Sequence, residues 1–289
     1  YNPPEFVTQT FYIFCILFSV VFFILFSVGL KKFSNNFKVN FSIFIFTGFI
    51  SVLGMETYLQ LTYKPHQIEN FNKSQLEREN IAKAMNIDYD SRTYLEVLND
   101  MMASGLEIFP NIYPSRFIQT DGLNSKKGRI YPFGTISNSN TLLPNELGYY
   151  PIIETDEFGF NNPKGLYNKN NVDILLTGDS FTEGFSVDSN ETIGAVLREY
   201  NFNAISIGKG GNGALIKFAA LREYAKPLEP KIVLWLYFNN DLEELRIESN
   251  SSILRRYLEV KNFKQNLFLR QEEIDNVLLN DIKIEWAKQ

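Results

Sequence analysis

Three short loops carry the residues with most chemical potential. The first is Gly178-Asp179-Ser180-Phe181-Thr182-Glu183-Gly184, which follows the apolar run Val172 to Leu176. A serine at the end of a buried strand is a candidate nucleophile, and acyl transfer needs in addition N–H donors aimed where the oxyanion develops. Two further loops offer such donors. Gly208-Lys209-Gly210-Gly211-Asn212-Gly213 is rich in glycine, which lets backbone N–H groups approach a ligand closely. Phe238-Asn239-Asn240-Asp241 offers side-chain amides.

Each loop follows an apolar run and precedes a helical pattern. Val172–Leu176, Asn203–Ile207 and Lys231–Tyr237 read as buried strands; Glu191–Tyr200 and Ala214–Ala225, the latter closed by Pro227, read as the intervening helices. Strand, helix, strand, helix, strand at this spacing predicts right-handed crossovers in a three-layer α/β/α parallel sheet. All three loops then meet at the carboxyl ends of the strands, where open sheets of this kind bind ligands. Asp179 is expected to shape its loop, Asp241 to cap the helix beginning at Leu242, and Lys209 to be solvated or to attract an anionic substrate. Ser180 read as a plain helix N-cap is the bland alternative, but capping explains neither of the other loops.

With these residues in place, the chain resembles the SGNH (GDSL-type) hydrolase family. The resemblance covers about residues 150–250. It rests on G-D-S-F-T-E-G at 178–184, S-I-G-K-G-G-N-G at 206–213, F-N-N-D at 238–241 and the lead-in T-D-E-F-G-F-N-N at 155–162. It implies a flavodoxin-like sheet and a serine esterase in which Ser180 is the nucleophile. Its own N–H, the N–H of Gly211 and the side chain of Asn240 form the oxyanion hole, with Gly210 the other candidate donor. This chain has Phe238 where the family usually has glycine and Ser206 where it usually has asparagine. The family's D-x-x-H block is not found: neither Asp275 nor Asp281 is followed by histidine three residues on, and His66 is the chain's single histidine. With only three strands evident, the domain is expected to be the N-terminal part of its module, with the catalytic base beyond Gln289; a chain that starts at Tyr1 reads as a fragment or a processed product.

The body of the chain is acidic. The net charge is −5, of which residues 1–64 carry +2 and the remainder −7. That balance argues against a nucleic-acid partner, since phosphate binding needs a basic face. The single cysteine, Cys15, excludes an intrachain disulfide, and no metal or cofactor constellation is seen.

Two apolar stretches open the chain, about 11–30 and 41–63, with Lys31, Lys32 and Lys38 between them. Their lengths suit two transmembrane helices joined as a hairpin, and the basic loop places the rest of the protein on the extracytoplasmic, periplasmic side. The expected organisation is a membrane anchor at 1–64, a helical and irregular linker region at 65–150 and an SGNH-like α/β domain at 151–289. The substrate expected from the resemblance is an acyl ester of a carbohydrate, lipid or envelope component. An O-acyltransferase acting on envelope polysaccharide shares the first half-reaction, and a non-catalytic envelope protein that keeps the fold is the alternative of a different class.

Overall fold

A computed structural model describes residues 34–62, 66–168 and 171–286. The apolar stretch 11–30 lies outside the described residues. The structure divides into two compact units, with the boundary between Glu77 and Arg78.

The first unit contains helix α1 (Asn35–Thr62) and the start of α2 (His66–Met85). Helix α1 begins six residues before the apolar stretch read from the sequence, because the Ser34 hydroxyl accepts the N–H of Phe37 and starts the helix there. Lys38 therefore lies in the helix. The segment Asn35–Met55 is long and apolar enough to cross a membrane, and none of it is buried within the protein. Thr47, Ser51 and Thr57 donate their hydroxyls to the carbonyls of Ile43, Thr47 and Leu53, one turn back. This satisfies polar donors that would be costly to leave unpaired in hydrocarbon. One candidate spanning helix near the N-terminus is thus present among the described residues.

The second unit is mixed α/β. After α3 (Tyr94–Ala103) come the short strands β1 (Ile108–Pro110), β2 (Leu123–Ser125), β3 (Gly128–Ile130), β4 (Asn140–Leu142) and β5 (Ile152–Glu154). β2 and β3 form an antiparallel ribbon; β4 pairs parallel with β1 and antiparallel with β5. The segment up to residue 150, whose sequence reads as a linker, supplies Ile112, Phe117, Ile118, Ile130, Tyr131, Phe133 and Ile136 to the main core. From Arg78 onward it belongs to the same compact unit as the sheet.

That sheet has three parallel strands in the order β7 (Ala204–Ser206), β6 (Ile174–Thr177), β8 (Ile232–Trp235). Alternate residues of β6 face opposite sides. Leu175 joins the main core with Ile205, Leu215, Ile216 and Ala219, under α6 (Ala214–Leu228). Ile174 and Leu176 join a smaller cluster with Ala204 and Leu197, the latter on α5 (Ile193–Glu199). Helices α7 (Asp241–Glu248), α8 (Ser252–Glu259) and α9 (Gln271–Trp286) complete the unit.

Two details differ from the sequence expectation. Helix α6 runs past Pro227 to Leu228; the missing N–H forfeits one bond near the helix end, and the Glu229 N–H still reaches the Ala225 carbonyl at 2.9 Å. β7 and β8 are both edges of this three-stranded sheet, but β7 is buried whereas the strand in K-I-V-L-W-L-Y, expected to be buried, has its four residues 38–51 % exposed. An apolar run marks a strand suited to burial on both faces, but the elements packed on those faces decide it: Ala204 and Ile205 of β7 belong to the core clusters, and no residue of β8 does.

Candidate functional site

β6 ends at Gly178, where any side chain would collide with Thr182: a Cβ there would lie 1.8 Å from its Oγ1. The chain then turns into a single helical turn, α4 (Ser180–Glu183). Asp179, rather than Ser180, is the N-cap, its Oδ1 accepting the N–H of Phe181 at 3.1 Å. The serine hydroxyl is therefore not spent on capping. Half-buried at the start of the turn, it has no hydrogen-bond partner among the described residues.

The second loop lies directly against this turn. A Cβ on Gly208 would be 2.5 Å from Thr182 Cβ, and the Ser206 hydroxyl donates to the Thr182 carbonyl at 2.8 Å. Glu183 is fully enclosed. One oxygen accepts from the Lys209 ammonium and, at 2.8 Å, from Asn111 Nδ2; the other accepts the Gly210 N–H at 2.6 Å. Lys209 also donates to Asn111 Oδ1 and is 1 % exposed, so it is a buried counter-ion and not a surface charge that could attract substrate. With the Gly210 N–H committed to Glu183, the next donor in line is that of Gly211. Gly211 is exposed, has φ +69°, and its N–H has no acceptor among the described residues. A φ of that sign is where glycine replaces an L side chain without steric cost.

The third loop leaves β8 through Leu236, whose N–H bonds to the Thr177 carbonyl at 2.9 Å. Phe238 packs on Phe181 with ring centroids 5.3 Å apart, which joins the first and third loops. Asn240 is exposed at the start of α7 and gives one amide N–H to Glu244 Oε1 at 2.8 Å, leaving its second N–H for another acceptor. Asp241 does not cap α7. Its carboxylate is buried and bonds the Lys217 ammonium at 2.6 Å, because a cation enclosed in the core requires a counter-charge.

The lead-in 155–162 fastens the site from below. The buried Asp156 accepts the N–H groups of Phe158 and Phe160 and bonds Asn162 Nδ2 and the Tyr167 hydroxyl. Asn162 bonds both the N–H and the carbonyl of Ser206, acting as an extra strand rung. Asn161 Nδ2 donates to the Glu183 carbonyl at 2.9 Å. At the other side Glu248 accepts the N–H groups of Gly213, Leu215 and Ile216, satisfying orphan donors at the start of α6.

Asn161 and Asn162 close the lead-in motif at 155–162, but the supporting residues Asn111, Lys217 and Glu248 have no signature in the sequence. Polar residues in Asn-rich turns and on helix faces look like solvated ones until the chain is folded. The named candidates Ser180, Gly211 and Asn240 all lie on loops leaving the carboxyl end of one parallel sheet, and side-chain contacts tie those loops to one another.

Burial shifts two of the supporting carboxyls. It pushes Asp156 up to about 6 and Glu248 up to about 7, against the N–H donors that pull both down. Both folded-state values exceed the unfolded ones, so between about pH 4 and 7 the folded state binds more protons and stability falls as pH rises. The expected loss is on the order of 3 kcal/mol for each group. Urea denaturation from pH 4 to 8 should show this decline, and Glu248→Gln should flatten its upper part; a stability that rises through this window would contradict the assignment.

Set against protein-family models, curated proteins and solved structures, the chain matches none.

Proposed function

We propose that this protein is a membrane-anchored serine esterase of the SGNH (GDSL) type, with a flavodoxin-like catalytic sheet held outside the cytoplasm by an N-terminal helical hairpin. The observation that carries the reading is the division of labour around α4. Asp179 takes the capping role and Glu183 takes the Gly210 N–H, so the Ser180 hydroxyl and the Gly211 N–H are both left without partners among the described residues. Leaving such groups uncommitted suits a site that must engage a substrate.

In this mechanism Ser180 Oγ attacks the ester carbonyl. The developing oxyanion is held by the N–H groups of Ser180 and Gly211 and by the second amide N–H of Asn240, and the acyl group then passes to water. By the resemblance, the base that takes the serine proton and returns it to the departing alcohol is a histidine of the family's D-x-x-H block; the chain's single histidine is His66, and Lys209 and Lys217 are both locked in buried ion pairs. The substrate class is an acyl ester of a carbohydrate, lipid or other envelope component.

The test is labelling of the protein in its native membrane with a fluorophosphonate probe. Wild type is expected to label, and Ser180→Ala to lose all labelling while keeping its unfolding free energy within about 1 kcal/mol of wild type. Equal labelling of the two would remove the nucleophile.

A further inference from the structure

We infer that Lys217 is the positioning residue that sets the spacing between Ser180 and Asn240; the catalytic half of this inference rests on the reading of Ser180 as the nucleophile. Lys217 lies in α6, the helix that follows the glycine-rich loop, and its side chain is fully enclosed. Its ammonium is 2.6 Å from Asp241 Oδ1 and 3.7 Å from Asp179 Oδ2, and it donates to the Leu236 carbonyl at 3.3 Å. Its backbone carbonyl accepts the Thr177 hydroxyl at 3.2 Å. One residue of the helix after the second loop thus holds the strand end and loop that carry Ser180 and those that carry Asn240. Asp179 directly precedes Ser180 in the chain, and Asp241 directly follows Asn240.

The charges explain why the cation sets a distance and does more than fill space. Asp179 and Asp241 are two buried carboxylates facing one ammonium. Asp241 Oδ2 and Glu244 Oε2 are also buried and have no hydrogen-bond partner among the described residues, so the surroundings already hold an excess of acceptors. Without Lys217 nothing bridges Asp179 to Asp241 and the Leu236 carbonyl, so the residues joined to them are no longer held together and move apart, whether or not both carboxylates keep their charge. The contact between Phe181 and Phe238 spans the same two loops and reports their separation.

The experiment compares wild type with Lys217→Met/Asp241→Asn, which removes the cation together with its closest counter-charge. Proton NMR of the full protein in detergent reads the contact between the Phe181 and Phe238 rings, and fluorophosphonate labelling reads Ser180. The ring contact should be lost while the amide signals of the core persist, and labelling should slow about 100-fold, as when one oxyanion donor is removed. In an Asn240→Ala background the same double change should slow labelling by less than about threefold, because the donor it positions is already gone. A purely structural role would give equal slowing in both backgrounds, and that outcome, or a ring contact that survives, overturns the inference. If the double variant does not fold, Asp241→Asn alone decides: labelling slowed by about tenfold with a wild-type fold is expected, and wild-type labelling overturns it. Should Ser180→Ala label like wild type, the nucleophile is lost, but the ring contact still decides whether Lys217 holds the loops together.

Discussion

Glu183→Ala is expected to cost about 3–5 kcal/mol of stability and to abolish labelling of Ser180. The carboxylate is the hub of the second loop. Removing it leaves the Lys209 ammonium enclosed with Asn111 as its only other side-chain partner among the described residues, and it strips the Gly210 N–H of its acceptor. An uncompensated buried charge is among the few single changes that reach this size, since the desolvation cost remains after the attraction is gone. The loss should appear as a lower urea midpoint. Lys209→Met in the Glu183→Ala background should recover part of it, because the orphaned charge is then absent. Labelling should not recover, since the glycine-rich loop still lacks its anchor on α4. A Glu183→Ala variant within about 1 kcal/mol of wild type would show that the ion pair contributes little.

Gly159→Ala is expected to cost more than about 4 kcal/mol, a second effect of comparable size and of different origin. Gly159 has φ +78°, and a Cβ there would lie 2.0 Å from the Thr135 carbonyl oxygen. The obstacle is backbone, which cannot swing aside. Thr135 and Gly159 are bonded at 3.0 Å, and on the facing chain Gly134 meets the Phe158 carbonyl just as closely. The two segments approach without side chains between them. Displacing this turn also displaces Asn161 and Asn162, which hold the Glu183 carbonyl and Ser206. Gly165→Ala is the control: φ is +83°, but a Cβ would meet nothing within 4 Å, so only the backbone strain of about 1–2 kcal/mol is expected. Equal losses at the two glycines would show that conformation, and not the close approach, sets the cost.

Much of the arrangement around Ser180 is legible in the chain. Apolar runs ending at Leu176, Ile207 and Tyr237, each followed within two residues by glycine or asparagine, give parallel strands with the candidate loops at one end, and β6, β7 and β8 are found there. The helical spacings at 191–200 and 214–225 each correspond to a helix, and the region at 65–150 holds two more. Asp241 read as a cap and Lys209 read as a surface charge fail for one reason. A charged residue beside a loop is usually solvated, and nothing local indicates that a counter-ion will arrive from elsewhere. The partner of Lys209 is 26 residues away and that of Asp241 is 24. Asn111, which bridges Glu183, lies 72 residues from it in a segment with the texture of a linker.

The sequence by itself determined the periodic features: an apolar helix near the start, the alternation of strands with helices, and the position of Ser180, Gly211 and Asn240 after strands. These depend on neighbours a few residues apart, which is the range over which side-chain pattern acts. Only the tertiary structure decided which polar groups are spent and which remain open. It enclosed Lys209 and Lys217 with their carboxylates, assigned the Gly210 N–H to Glu183, and left β8 at the sheet's edge. Burial and pairing of charge depend on segments that meet only after folding, and a buried ion is tolerated only where such a meeting supplies its partner.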